Sequence, residues 1–205
     1  IELGGTVGDI EGLPFMEAIR SIRHELPKTN TMNIHLSLVP YIKAAGELKT
    51  KPTQHSVQEL RRIGITPHML VCRTERELPK ALKDKLALAC DIDRNAVIEA
   101  GDAQSIYQVP LQFIKEGILT PLSEHFNIKI KPNMEKWDTL VKNILLPQGE
   151  VTIAFVGKYL DLKESYKSLI EALIHAGAHL STKVNIHWCD SERIEDVGAY
   201  DIIGN

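Results

Sequence analysis

The sequence has little of several features that mark specialised proteins. Its 205 residues are 5% aromatic, include three cysteines, and carry 24 Lys and Arg against 27 Asp and Glu. The near balance of charge excludes a broad surface for nucleic acid or an anionic membrane, so any anion site is local. The few cysteines lie far apart beside apolar residues, which excludes a disulfide scaffold and predicts reduced, buried thiols.

Long hydrophobic runs are also missing. No stretch approaches the roughly 18 to 20 apolar residues of a membrane span, so we expect a cytoplasmic protein. The hydrophobic content of 43% suffices for a core and excludes disorder. The sequence opens on Ile1 without Met or a leader, and its last residues, 201–205, are an apolar run typical of a strand. We therefore expect part of a longer protein.

The spacing of apolar residues predicts alternating helices and strands. Helices are predicted over residues 14–26, 57–63, 82–89 and 110–126, the last with a break near Gly117, and strands over residues 34–38, 69–72 and 96–98. Because strands and helices alternate, the fold class predicted is α/β with a parallel sheet.

The pattern changes between residues 127 and 149, where Pro132 and Pro147 bracket one amphipathic helix. This indicates a linker. A second β-α-β unit follows, with a strand at residues 151–156, a helix that ends at Gly177 and a strand at residues 184–188. It is too short to complete a domain, since parallel strands need helices on both faces.

A glycine-rich loop, residues 2–12, precedes the first predicted helix. Its four glycines let backbone N–H groups approach a ligand, and Glu2, Asp9 and Glu11 add three carboxylates. Mg²⁺ takes one or two carboxylates together with substrate phosphates. The alternative is a plain loop in which the glycines serve turns and the acids cap the following helix.

A second candidate runs from Lys49 to Ser56, directly before a predicted helix. Two lysines, two threonines and a helix N-terminus are what a phosphate chain requires. The alternative is a solvated lysine pair with Thr53 as the helix cap. Arg73 follows a buried strand at its carboxyl end, where it is placed for a ligand or for a surface ion pair.

Both segments, Glu2 to Glu11 and Leu48 to Val57, resemble signature segments of the CTP synthase family, the glutamine-dependent amidoligases. Further stretches resemble the family in the same order: residues 67–73, 102–110 and 151–177, the last with its Gly-Lys-Tyr turn. The resemblance extends to about Ser191.

The resemblance implies a Rossmann-like, P-loop-like synthetase domain over residues 1–127, an interdomain linker over 128–149, and the start of a flavodoxin-like class I glutamine amidotransferase domain over 150–205. The implied reaction is ATP-dependent amination of UTP to CTP with ammonia from glutamine. Implied too are Mg²⁺ as cofactor, CTP as inhibitor, GTP as activator and a homotetramer. The ATP phosphate loop and the Cys-His-Glu triad of the family would lie outside this chain, so no catalytic residue is expected within it and the fragment alone would be inactive.

Site residues follow from the resemblance position by position. For UTP and CTP they are Lys49, Thr50, Lys51, Pro52, Thr53, Gln54 and Lys85; for CTP alone Asp9, Ile10 and Glu11; for ATP Arg73, Gly101, Asp102 and Ala103; and for the metal Glu2. Gly101 stands where the family usually has a basic residue, so only backbone contacts are expected there.

Two alternatives remain open at this point. One is another ATP-dependent amidoligase with a carboxylate substrate in place of the uracil ring. The other is a non-catalytic fragment that binds nucleotide and senses CTP.

Overall fold

The computed structural model describes residues 1–198, without the side chains of residues 163 and 195–197. The chain forms two compact units, Ile1–Pro132 and a second from Asn133 onward. The strand predicted over residues 201–205 lies outside the described residues. Within the described part, no helix is long and apolar enough to cross a membrane.

The first unit contains five α-helices and five strands; two of the strands form a hairpin that the sequence does not predict, and the other elements follow the predicted order. They are α1 Leu13–Glu25, β1 Ile34–Leu38, β2 Tyr41–Ile42, β3 Glu47–Leu48, α2 Lys51–Arg62, β4 Met69–Arg73, α3 Lys80–Cys90, β5 Val97–Ala100, α4 Val109–Lys115 and α5 Leu119–Phe126, with a short 3₁₀ turn at Ile10–Gly12. Gly117, with φ of +88°, separates α4 from α5 where the break was predicted.

The sheet of the first unit is parallel, in the order β1-β4-β5. This confirms the α/β class. The middle strand, β4, is buried along its first four residues, as expected for a parallel strand covered on both faces. Fully buried side chains from β4, β5, α2 and α3 form the core, among them Met69, Leu70, Ile98, Val57 and Leu86.

Strand β1 presents its apolar side chains to the outside. Ile34, Leu36 and Leu38 are 49%, 66% and 56% exposed, whereas His35 is 8% exposed. The inward polar side chains form hydrogen bonds with α2. His35 Nε2 shares a hydrogen bond of 2.9 Å with Ser56 Oγ. The predicted strand is therefore confirmed, with a hydrogen-bonded polar face toward α2.

The second unit pairs β6 Gly149–Gly157 with β7 Thr182–Asp190 in parallel. Helices α6 Glu135–Leu145 and α7 Lys167–His179 pack on each other and on β7, and α8 Ser191–Val197 follows. The helix predicted between Pro132 and Pro147 is confirmed and belongs with this unit. The domain limits at residues 127 and 149 stay a prediction.

Gly177 fixes the packing of α7 on β7. A Cβ at this position would lie 2.4 Å from Thr182 O and 2.8 Å from Val184 Cγ2, so only glycine permits this approach.

The predicted burial of the three cysteines is confirmed for Cys72, Cys90 and Cys189. Burial raises the pKa of the Cys72 thiol to about 12. A thiol of this kind stays protonated near neutral pH and is a poor nucleophile.

Candidate functional site

Three groups of predicted site residues lie at the carboxyl ends of the parallel strands. The segment from Lys49 to Lys51 follows β1 through the β2–β3 hairpin, and Lys49 N donates to Pro40 O at 2.9 Å. Arg73 is the last residue of β4, and residues 101–103 follow β5. Open α/β sheets bind ligands at this edge.

The Lys49 ammonium pairs with the Glu47 carboxylate, which the hairpin places on the same side of the chain. This hydrogen bond and charge hold the pKa of the Glu47 carboxyl below its usual range, and the charge of Lys85 on α3 acts in the same direction. Two cations from different elements thus act on one carboxylate. Both side chains of the pair are about half exposed, so an incoming anion can compete with Glu47.

Three of the predicted nucleotide residues are buried and bonded to the protein itself. Thr53 Oγ1 donates to Leu38 O at 3.1 Å and accepts from Ser37 Oγ at 3.2 Å. Gln54 Nε2 donates to Thr50 Oγ1 at 3.1 Å. These side chains hold the first turn of α2 against the end of β1.

The start of α2 is left open to a ligand. No side chain caps it, and Pro52 in its first turn has no N–H to satisfy. The backbone N–H groups of the first turn have no acceptor within the helix and carry its positive dipole end. With the half-exposed Lys49 and the exposed Lys51 beside them, these N–H groups form an arrangement suited to phosphate.

Arg73 and Asp102 bring together the ends of β4 and β5. Arg73 Nη2 lies 2.6 Å from Asp102 Oδ1, while Nη1 donates to Thr74 O at 2.8 Å and to Ala100 O at 3.3 Å. The guanidinium is therefore fixed at the strand ends with its side chain 46% exposed. The sequence left two roles open for Arg73, a ligand contact and a surface ion pair. The ion pair with Asp102 is present, and the exposed face of the guanidinium remains available to a ligand.

A partly buried ion cluster connects the elements next to residues 101–103. Lys83 Nζ lies 2.6 Å from Glu116 Oε2 and 3.7 Å from Glu99 Oε2. Glu99 Oε2 in turn accepts from Leu78 N at 2.8 Å, and Glu116 Oε2 accepts from Glu99 N at 3.2 Å. The cluster ties α3, β5 and α4 together beneath the residues 101–103 segment.

A cavity of about 340 Å³ opens beside this segment. Its walls come from the loop after β4, from Gly101 and Asp102, and from Gln112 and Glu116 on and after α4. This volume lies within the range of roughly 300 to 1,000 Å³ that small-molecule sites occupy.

The glycine-rich loop lies elsewhere in the unit. Gly5 and Gly8 have φ of +87° and +101°, and Thr6 N donates to Asp9 Oδ2 at 3.0 Å, so the loop is a folded turn. Glu2 lines a cavity of about 430 Å³ together with Ile34 and other residues of β1. Among the described residues, no hydrogen bond or ion pair joins this loop to the Lys49 segment.

The carboxylates of the loop do not form a complete metal site. In the part of the chain that the structure describes, no group of three or more His, Cys, Asp or Glu side chains is placed to hold a metal ion. A single exposed Glu2 carboxylate fits Mg²⁺ that takes its other ligands from phosphates and water.

A larger cavity, about 1,080 Å³, lies at the opposite, amino ends of β4 and β5 and contains none of the predicted site residues. His68 and His125 contact each other there with ring centroids 4.5 Å apart. His68 Nδ1 accepts from Asn33 N at 2.9 Å. Burial, followed by the charges of His125 and Arg23, lowers the pKa of His68 to about 4, so its ring is neutral near pH 7.

Sequence reasoning missed two groups at the carboxyl edge. Glu47 lies two residues before Lys49, and this proximity in the sequence was the available signal for their pairing. The Lys83 cluster carried no such signal, since Glu99 and Glu116 lie on separate elements.

The fold and these side chains define an α/β domain with a cationic helix N-terminus suited to phosphate. The family model described as CTP synthase N-terminus matches residues 1–128. The CTP synthase of Nautilia profundicola is 68% identical over 196 residues, which are 95% of this chain and 36% of that protein. The CTP synthase of Wolinella succinogenes is 68% identical over 97% of this chain and 36% of that protein. The CTP synthase of Sulfurimonas denitrificans is 61% identical over 100% of this chain and 38% of that protein.

The chain therefore belongs to the CTP synthase family, and the predicted resemblance is confirmed. It spans a little over a third of the length of these curated relatives. Residues 1–128 correspond to the N-terminal synthetase domain of the family.

Proposed function

We propose that the protein containing this chain catalyses ATP-dependent amination of UTP to CTP. The observation that carries the proposal is the uncapped start of α2 with Lys49 and Lys51 beside it, in a chain of this family. In the reaction, ATP phosphorylates O4 of the uracil ring, ammonia adds at C4, and phosphate leaves. UTP, ATP and ammonia thus give CTP, ADP and phosphate.

The geometry divides the proposed UTP and CTP residues into two groups. Lys49, Lys51 and Lys85 supply ammonium charge to the triphosphate, and the free backbone N–H groups of α2 donate to it. Thr53 and Gln54 are bonded to the protein, so they act by holding the helix start in place. Pro52 and Thr50 shape the first turn.

The ATP base is proposed to lie at the ends of β4 and β5. Arg73 offers the open face of its guanidinium for stacking, and residues 101–103 offer backbone groups. Asp102 orients Arg73 through their 2.6 Å contact. Gly101 contributes no side chain, so the backbone carries recognition at that position.

Glu2 is proposed as a ligand of Mg²⁺, which would neutralise phosphate charge during phosphoryl transfer when bound. Asp9, Ile10 and Glu11 are proposed to recognise CTP, the feedback inhibitor. A homotetramer is proposed as well, on the resemblance to the family.

Glutamine as ammonia source and GTP as activator are part of the same proposal. The parallel β6–β7 pair with α7 between its strands is compatible with the start of an amidotransferase domain. No step of glutamine hydrolysis is assigned to residues of this chain, and we expect the 205-residue chain alone to be inactive.

The test uses the full-length protein with UTP, ATP, Mg²⁺ and either glutamine or ammonium. We expect CTP to appear with equal amounts of ADP and phosphate, measured by chromatography. ATP hydrolysis without CTP, or amidation of a carboxylate substrate instead, would favour the related amidoligase. Nucleotide binding without any turnover would favour the non-catalytic alternative.

A further inference from the structure

The β2–β3 hairpin, which leads into Lys49, is short. Its strands have two residues each, paired as Tyr41 with Leu48 and Ile42 with Glu47. A two-stranded hairpin by itself is marginally stable at best in water, so its position depends on contacts with the rest of the unit. A side chain that fixes the hairpin therefore also affects where Lys49 lies.

Arg76 makes such a contact from the loop that follows β4. Its guanidinium lies over the Tyr41 ring, with Cζ 5.1 Å from the ring centroid. A guanidinium within about 6 Å of an aromatic centroid is attracted to the face of the ring. Among the described residues, the Arg76 guanidinium and the Tyr41 hydroxyl form no hydrogen bond, so the two side chains interact through the ring face.

The backbone of Arg76 is fixed by Thr74, which is buried. Thr74 Oγ1 donates to Arg76 O at 2.8 Å and accepts from Arg76 N at 3.3 Å. Thr74 N in turn donates to Ala100 O at 3.1 Å, at the end of β5. Arg76 is therefore anchored on the sheet, and its guanidinium is placed to hold the hairpin.

We propose that Arg76 and Tyr41 are positioning residues for the triphosphate of UTP and CTP, because their contact fixes the hairpin that presents Lys49. The inference rests on the proposed function, in which Lys49 binds that triphosphate. Without the contact, the hairpin and Lys49 sample more orientations, which binding must restrict again. The affinity for UTP and CTP then falls, while the rate at saturating UTP is preserved.

The test combines steady-state kinetics of the full-length enzyme, supplied with ammonium, and calorimetric titration of CTP. Tyr41→Leu removes the ring, and Arg76→Met removes the cation but keeps a long side chain. For each variant we expect the KM for UTP and the Kd for CTP to rise about two- to fivefold, which corresponds to about 0.5 to 1 kcal/mol for an exposed contact of this kind. The kcat of both variants and the KM for ATP of Tyr41→Leu should keep their wild-type values. Tyr41→Phe keeps the ring and should behave as the wild type.

Two double variants separate positioning from a general loss of structure. Tyr41→Leu combined with Arg76→Met should lose no more affinity than either alone, because both remove the same contact. Tyr41→Leu should also leave the KM for UTP unchanged in a Lys49→Ala background, because it acts through Lys49. Arg62→Met, at an exposed position in the last turn of α2, is the matched control and should keep the wild-type constants.

Unchanged KM for UTP and Kd for CTP in both single variants overturn the proposal. A further loss of affinity in the Lys49→Ala background, or a Tyr41→Phe variant as weak as Tyr41→Leu, overturns it as well. If Tyr41→Leu does not fold, Arg76→Met is used in the same comparisons. Failure of the proposed function is distinct, because then the wild type forms no CTP or Lys49→Ala leaves the KM for UTP unchanged.

Discussion

Replacing Lys49 by alanine separates a ligand role from a structural role. Lys49 is 45% exposed on its side chain and Glu47 57%, and a surface pair of this kind contributes about 0 to 1 kcal/mol. Lys49→Ala should therefore change the free energy of unfolding by less than about 1 kcal/mol. A hydrogen bond to a charged group contributes about 1.5 to 3 kcal/mol, and half exposure places Lys49 at the lower end.

We accordingly expect Lys49→Ala in the full-length enzyme to raise the KM for UTP and the Kd for CTP about tenfold, since 1.4 kcal/mol corresponds to a factor of ten. Glu47→Gln should have the opposite sign, because it removes the carboxylate that competes with phosphate for Lys49. A gain of up to about fivefold in affinity corresponds to the largest value of such a surface pair.

The assay is steady-state kinetics with UTP, together with calorimetric titration of CTP and urea unfolding of each variant. Lys43→Ala is the matched control, because Lys43 is an exposed lysine between β2 and β3 of the same hairpin. Unchanged affinities in Lys49→Ala at native stability would refute the ligand role. A loss of stability above about 2 kcal/mol would instead show that the ion pair is structural, beyond the surface range.

Three further predictions concern stability, each read from urea unfolding. Thr53→Val leaves Leu38 O without its buried donor and should cost about 1 to 3 kcal/mol; an unchanged midpoint would contradict this. Gly177→Ala should lower the free energy of unfolding by about 1 to 3 kcal/mol, because the added methyl group overpacks the contact with β7. The control Gly149→Ala should leave it unchanged, because there is open space around a Cβ at that position. Equal effects of the two substitutions would count against the packing argument. The pKa of His68 is about 4 in the folded protein and 6.5 in the unfolded chain, so the stability that its neutral ring contributes is complete above pH 6.5 and is lost as the pH falls toward 4. The variant His68→Leu should therefore lose less stability than the wild type between pH 7 and 5. An identical loss in both proteins would refute this prediction.

Local patterns were sufficient where periodicity or a breaker residue was clear. The apolar run Met69–Cys72 became the central strand β4, and Gly117 became the break between α4 and α5. The β2–β3 hairpin was missed because each strand has two residues, too few for any period to appear. The strand order β1-β4-β5 likewise depends on contacts between distant segments.

The sequence predicts that the candidate site binds an anion, but it does not predict which contacts the individual side chains make. The lysines at 49 and 51 before a helix indicate an anion site from sequence alone, because charge and helix start are local features. The inward turn of Thr53 and Gln54 was not predictable, since it depends on Leu38 and Thr50 being placed beside them. For the same reason the contact of Arg76 with Tyr41 gave no signal, because it exists only once the hairpin packs beside the loop after β4.

The sequence by itself determined the α/β class, the family and the residues that carry charge, because these follow from composition, period and motif. The tertiary structure alone decided which of those residues remain free for a ligand. Thr53 and Gln54 form hydrogen bonds within the protein, and Lys49 pairs with the Glu47 carboxylate. Gln112 Oε1 has no hydrogen-bond partner among the described residues. The physical reason is that a polar atom is satisfied by whatever neighbour folding places beside it, and such neighbours are set by long-range packing rather than by local order along the chain.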